Sequence, residues 1–367
     1  MKNWHYNIKS ALIMSLLYFY YPILNMLNQE KHYEQLKKYN RGKRVGIVGF
    51  FPDMNIGNNL LKYSMFIFLK KLGFKPILIS LKTNCNIYFL RNNLIIKEIT
   101  NYSELNKSDY DILMVNSDQS WSYSFKGILE VGFLSFAKNW NVSKFVYAAS
   151  LGYDSWNVSN KTINSAKELV KQFSGISVRE NSSIGIIKKY LGVEPVLAID
   201  PTLLLKKSDY LKIIENYKSK IDIKKNYMCV YILDNSKVLN NFIEKASQAL
   251  NYNILNITPY ENNYIENFIY SLNHCNSMIT DSYHGTIFSI IFVKPFITFI
   301  NTDRGNARFF SLNQTFSLNN RIIYPRQFEK EDIYILRSIP NINISNFKYL
   351  KDKSINFLKM NLEMFFD

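Results

Sequence analysis

Short apolar runs, each stopped by a polar turn and followed by a stretch of helical period, recur along this 367-residue chain. That rhythm constrains the fold more than any single motif. Arg44–Phe50, "RVGIVGF", reads as a strand buried on both faces, as in a parallel sheet. The segment "NIGNNLLKYSMFIFLKKLGF" follows, with Leu60, Leu61, Met65, Phe68, Leu69 and Leu72 at helical spacing and Gly73 as its stop. "KPILISL" is the next strand. A strand–loop–helix–strand unit starting near residue 44 is the building block of doubly wound folds.

The same form returns at Tyr110–Trp121 ("YDILMVNSDQSW"), at Lys144–Gly152 ("KFVYAASLG") and at Gly175–Glu180, after the helix "SAKELVKQF". "EPVLAIDPTLLL" closes this half with a turn at Asp200-Pro201. From Tyr227 the alternation restarts through the strands "YMCVYIL", "NILNIT", "SMIT" and "KPFITFI", with helices "SKVLNNFIEKASQAL", "IENFIYSLNHC" and "GTIFSIIFV" between them. The expected architecture is α/β, with two Rossmann-like domains at 44–205 and 206–367, the second carrying the C-terminal helix, and an extension at 1–43. Ligands bind in clefts between such domains.

Charge and cysteine content narrow the chemistry. Lys plus Arg number 45 against 29 for Asp plus Glu, a net charge of +16. This excess favours anionic partners: phosphate-bearing substrates, an anionic membrane surface or nucleic acid. The basic runs are short and interrupted, and neither a zinc finger nor an RNA-binding aromatic motif accompanies them, which argues against nucleic acid. Cys85, Cys229 and Cys275 lack metal-ligand spacing and are odd in number, so neither a structural zinc site nor a disulfide framework is expected, and a reducing cytoplasm fits. Ser10–Gln29 is uncharged but contains Pro22, Asn25 and Asn28. It reads as a helix lying in a membrane interface or packed on the protein itself, with a true span ranking third.

Polar residues gather where the strands end. Asp281-Ser282-Tyr283-His284-Gly285 joins the strand "SMIT" to an apolar helix. His284 can exchange a proton near neutrality, Asp281 or Ser282 can orient it, and Gly285 lets backbone approach a ligand. The competing role for the acid and the hydroxyl is helix capping around a structural histidine. Asn58 and Asn59 lie in a turn that either holds an anion or caps the next helix. Ser117 and Asp118 follow another strand, where an Asx turn is the simpler role. Arg179-Glu180 ends a strand and has a surface ion pair as its plainest reading. Arg304 and Arg308 stand one helical turn apart after "PFITFI" and suit a ligand with carboxylate and phosphate groups.

Taken in order, these segments resemble the polysaccharide pyruvyl transferase family from about Arg44 to Arg321. The resemblance rests on Asn55-x-Gly57-x-x-Leu60, Ser117-Asp118-Gln119-x-Trp121, Ala148-Ala149-Ser150-x-Gly152, Ser177-x-Arg179-Glu180 and Asp200-Pro201-Thr202. Thr280-Asp281-Ser282-Tyr283-His284-Gly285 is its most specific element, followed by Lys294-Pro295-Phe296 and by arginines at 308 and 321. Asn116, Ile56, Asn58 and Tyr283 depart from residues common in the family.

The resemblance implies two facing Rossmann-like domains of the GT-B kind. It also implies transfer of a pyruvyl group from phosphoenolpyruvate to a sugar of a cell-surface polysaccharide or its precursor, without metal or cofactor. On this reading His284 transfers the proton and Asp281 orients it. Arg179, Arg304 and Arg308, with Ser282, Gly285, Asn58, Asn59, Ser117 and Asp118, bind substrate. The expected partners are phosphoenolpyruvate, a sugar acceptor that is free or lipid-linked, and the inner face of the cell membrane, with no nucleic acid. The rival readings are a GT-B glycosyltransferase using a nucleotide sugar and a non-catalytic, membrane-associated polysaccharide-assembly protein.

Overall fold

The computed structural model describes residues 42–49, 55–82, 87–219, 221, 226–258, 263–300, 305–324 and 333–362. The expectation for residues 10–29 falls outside them. Among the described residues no helix is long and apolar enough to cross a membrane.

Strands β1 (Arg44–Val48), β2 (Lys75–Leu81), β3 (Ile96–Ile99), β4 (Ile112–Val115), β5 (Ser143–Ala149), β6 (Gly175–Val178) and β7 (Val196–Leu197) form one sheet. Its order is β3-β2-β1-β4-β5-β6-β7, and every pairing in it is parallel. Strands β8 (Tyr227–Tyr231), β9 (Asn253–Asn256), β10 (Ser277–Thr280), β11 (Phe296–Phe299) and β12 (Ile322–Ile323) form a second parallel sheet, ordered β12-β11-β10-β8-β9. Strand order reverses between β1 and β4 in the first sheet and between β8 and β10 in the second. At such a switch point the crossovers leave towards opposite faces and a crevice opens above the strand ends.

The chemistry of the runs explains which of them became central. β4, β8 and β10 are buried along their whole length, as a parallel strand covered by helices on both faces must be. The sheet edges tolerate polar residues: β9 is mostly exposed, and β3 carries Lys97 and Glu98. The charged run of β3 gave no apolar signal in the sequence.

Helix α1 (Ile56–Lys71) is buried through most of its length and stands between the two sheets. Its apolar residues join those of β1, β8 and β10 in one continuous core that includes Leu60, Phe68, Cys229, Phe268, Met278 and Phe288. Separate cores cover the outer face of each sheet. The halves are therefore fused beneath the cleft.

The chain beyond residue 205 does not all stay with the second sheet. The last described helix, Ile344–Asn361, returns to the first. Phe357 packs its ring against Phe145 and Tyr147, and Ser354 Oγ accepts a hydrogen bond from the Ile199 backbone N–H at 2.9 Å. This corrects the placement of that helix in the second domain. Helical period shows which face must be buried, but it does not name the surface that buries it.

Candidate active site

The strand β10 stops at Thr280, and a helix, Tyr283–Ile291, starts three residues later. Ser282 caps that helix, its hydroxyl accepting from Gly285 N–H at 3.3 Å. Gly285 is required for packing: a Cβ there would stand 2.3 Å from Thr280 Oγ1. Thr280 Oγ1 in turn donates to Tyr231 O at 2.7 Å and accepts from Ser282 N–H at 3.0 Å. The two Asp281 carboxylate oxygens accept from the backbone N–H groups of Leu233 and Asp234, at 2.7 and 2.9 Å. Asp281 thus ties the end of β10 to the loop after β8, across the second switch point.

His284 is held in place by the first half of the chain. Its ring lies against Gly57 in the opening turn of α1, where a Cβ on Gly57 would meet His284 Nδ1 at 2.0 Å. On the other side, Nε2 stands 3.6 Å from Asp200 Oδ2. That separation is beyond an ordinary hydrogen bond, and among the described residues the buried Nε2 has no hydrogen-bond partner. The carboxylate facing His284 therefore belongs to Asp200. The expectation that Asp281 orients the ring is corrected, because the Asp281 oxygens serve the β8 loop. Asp200-Pro201-Thr202 read as a turn and as one element of the resemblance, with no role given to its carboxylate.

Asp200 belongs to a buried ionic cluster at the C-terminal ends of β4, β5 and β6. Arg179 Nη1 donates to Asp200 Oδ2 at 2.5 Å, and Arg179 Nε lies 3.4 Å from Glu180 Oε1. Arg179 Nη2 lies 4.0 Å from Asp118 Oδ1 and has no hydrogen-bond partner among the described residues. Glu180 accepts from Ser150 Oγ and Ser183 Oγ at 2.5 and 3.1 Å. Arg179-Glu180 is accordingly an interior pair, contrary to the surface pair that the sequence suggested.

Burial by itself would raise the Asp200 carboxyl. His284, Arg179 and Thr202 overturn that effect and hold it well below the usual carboxylate range. Burial likewise opposes charge on Arg179, yet Tyr283, Asp200, Glu180 and Asp118 keep it firmly protonated.

The Tyr283 ring carries two guanidinium groups, with Arg179 Cζ 4.7 Å and Arg308 Cζ 5.4 Å from its centroid. Burial first, and then the like charge of Arg179, depress the pKa of Arg308. Two mutually repelling cations around one aromatic ring form a seat that an anion would relieve. A narrow crevice opens beside them, bordered by Arg179, Asp200, Tyr283, Ser311 and Thr315.

Backbone strain surrounds the cluster. Asp118 (φ 98°) and Ala148 (φ 51°) adopt the left-handed region that non-glycine residues avoid. Three hydrogen bonds hold them there: Ser117 Oγ to Ala148 O at 2.7 Å, Ser150 N to Asp118 O at 2.8 Å, and Ala148 N to Ser177 Oγ at 2.8 Å. The register of β5 against β6 shifts at the same place. Bulges of this kind re-aim side chains next to active sites.

The structure thus brings His284, Arg179, Arg308 and Asp118 together, and it gives several other expected residues supporting bonds. Asn55 caps α1 by accepting from Asn58 N–H at 3.2 Å. Asn59 Nδ2 donates to Tyr264 OH at 2.7 Å across the two halves. Ser117 and Ser282 are engaged as described above. Arg321 donates to Ile335 O at 2.6 Å and to Ser338 Oγ at 2.9 Å, so it braces the edge of the second sheet. Arg304 lies outside the described residues. Sequence reasoning also missed Gly57 as the wall of the histidine pocket. A glycine in the first turn of an otherwise well-formed helix, where it gains nothing locally, was the available signal.

A family model described as polysaccharide pyruvyl transferase matches residues 55–304. None of the curated proteins compared matches the sequence. Among solved structures, the UDP-GlcNAc 2-epimerase of Methanocaldococcus jannaschii is similar at 14% identity and a TM-score of 0.57, over 87% of this chain and 99% of that one. The Neisseria meningitidis UDP-GlcNAc 2-epimerase bound to UDP-GlcNAc is similar at 9% identity and a TM-score of 0.53, over 88% of this chain and 100% of that one. At such identities the likeness is one of fold: two facing parallel-sheet domains of the GT-B kind.

Proposed function

The chain belongs to the polysaccharide pyruvyl transferase family, and on that premise we propose that it moves a pyruvyl group from phosphoenolpyruvate onto two hydroxyls of a sugar in a cell-surface polysaccharide or its precursor. The observation that carries this reading is the pair of guanidiniums around Tyr283, with the buried imidazole of His284 on the neighbouring residue. A donor bearing both a carboxylate and a phosphate presents two anionic groups to such a pair.

In the proposed reaction, imidazolium at His284 donates its proton to the methylene carbon of the donor, which becomes a methyl group. The central carbon gains oxocarbenium character, and a sugar hydroxyl attacks it. The new C–O bond forms, that hydroxyl's proton passes to the imidazole, and the C–O bond to phosphate breaks. A second hydroxyl then closes the ketal on the same carbon, its proton leaving with phosphate. Arg179 and Arg308 stabilise the charge of the donor and of the departing phosphate. The acceptor is a hydroxyl-bearing sugar, free or lipid-linked, met at the cytoplasmic face of the membrane.

The test is release of phosphate from phosphoenolpyruvate against a panel of sugar acceptors, together with the mass gain of a pyruvyl ketal on one of them. His284→Ala is expected to lower turnover about 10²–10⁴-fold. Nucleotide release from a nucleotide sugar in the same assay, with phosphoenolpyruvate left intact, would replace this reading with a glycosyltransferase. Full function in cells with His284 and both arginines replaced would point to a non-catalytic assembly role.

A further inference from the structure

Asp200 divides its carboxylate between two tasks. Oδ1 accepts from Thr202 N–H at 2.9 Å and from Thr202 Oγ1 at 2.6 Å, which caps the turn after Ile199. Oδ2 takes no part in that cap. It receives Arg179 Nη1 at 2.5 Å and faces His284 Nε2 at 3.6 Å. The carboxylate is fully buried, with side-chain exposure of 0%. It is placed where the cation of one half and the imidazole of the other converge.

From this geometry we propose that Asp200 is a positioning residue with two opposed effects: it holds His284 in line for proton transfer, and it competes with the incoming anion for Arg179. The inference rests on the pyruvyl-transfer reading for its reaction and on the structure for its contacts. Asp200 is the nearest of the three carboxylates around Arg179, so a bound donor must displace or share that contact. The second Arg179 amine, Nη2, is buried and has no hydrogen-bond partner among the described residues. Among the described residues Nε2 of His284 faces no other acceptor in hydrogen-bond reach, so Oδ2 is the group that can hold the protonated ring. A short closure across the 3.6 Å gap completes that bond. Removing the charge of Oδ2 while keeping the cap should therefore separate binding from turnover.

Asp200→Asn does this, because its amide oxygen can keep the Thr202 cap while an NH2 replaces Oδ2. The expected outcome has two parts. The dissociation constant for phosphoenolpyruvate, measured by titration calorimetry without acceptor, falls about tenfold, since one charged competitor is gone. In the complete reaction kcat falls about 10²-fold. In a His284→Gln background the same substitution costs kcat little more, because the residue through which Asp200 acts is already lost. A protein disturbed only in its cap would lose binding and turnover together. Thr202→Val, which removes the Oγ1 bond of the cap and leaves the Asp200 charge in place, supplies that comparison: any loss it causes is expected in binding and turnover alike.

If Asp200→Asn does not fold, Asp200→Ser retains a capping oxygen and carries the same two expectations. Weaker or unchanged binding of phosphoenolpyruvate to these variants, or full additivity with His284→Gln, would overturn the proposal. Absence of phosphoenolpyruvate binding to the parent protein would instead remove the pyruvyl-transfer reading. Inorganic phosphate, as a second probe, would then still test the competition for Arg179.

Discussion

At the scale of the residue, the site depends on what one side chain leaves room for. His284 fits only because position 57 has no side chain, the nearest ring atom standing 2.0 Å from where a Cβ would be. Gly57→Ala is thus expected to leave the fold intact by circular dichroism and to lower turnover about as far as loss of the histidine does, roughly 10²–10⁴-fold. A variant that keeps full turnover would show that the ring position is unimportant. His284 and Arg179 were legible in the sequence because a histidine or an arginine at a strand end is chemically conspicuous. Gly57 and Asp200 were not. Their roles are defined by neighbours more than 80 positions away in sequence for Asp200 and more than 200 for Gly57, and nothing in either local stretch names those neighbours.

At the scale of the element, central strands announce themselves and edges do not. β4 and β10 are apolar because both faces are covered, whereas the edge strand β3 keeps polar residues and was not read, although the mostly exposed β9 was read from "NILNIT". The second sheet closes on β12, two residues long, and its side chains cannot secure it alone. Arg321, just before it, reaches Ile335 O and Ser338 Oγ and joins that edge to the segment Ile333–Arg337. Arg321→Met should destabilise the protein by about 1–3 kcal/mol, the cost of losing the charged donor's bonds to Ile335 O and Ser338 Oγ, read as a lower urea midpoint. Affinity for phosphoenolpyruvate should not change. A loss of donor affinity in a stably folded Arg321→Met protein would return this residue to the binding site.

At the scale of the whole molecule, the closing helix binds the end of the chain to the first sheet, and one of its lysines makes that closure sensitive to pH. Lys351 donates to Leu203 O at 2.8 Å from a nearly enclosed position. Burial, and then the nearby Lys206, lower its pKa from 10.5 to about 8. The unfolded chain holds this proton up to about pH 10.5, while the folded chain releases it near pH 8. Between those values the unfolded state binds more protons, so stability must rise with pH across the window. Below about pH 8 the fold carries the full penalty of a buried charge, roughly 3 kcal/mol. Lys351→Met should remove that rise, and chemical denaturation at a series of pH values from 7 to 10.5, a window set by the two pKa values, measures it. Parallel pH profiles for the parent and variant proteins would refute the assignment.

By itself the sequence determined the alternation of strand and helix, the two α/β halves, and the strand ends where polar chemistry collects. Those properties follow from burial, which writes itself locally as runs and periods of apolar residues. The order of the strands, the return of the last helix to the first sheet, and the choice of Asp200 over Asp281 as the partner of His284 were settled by tertiary structure. Each depends on contacts between distant segments. A carboxylate three positions along the chain can be engaged by backbone amides, while one 84 positions away stands at the ring.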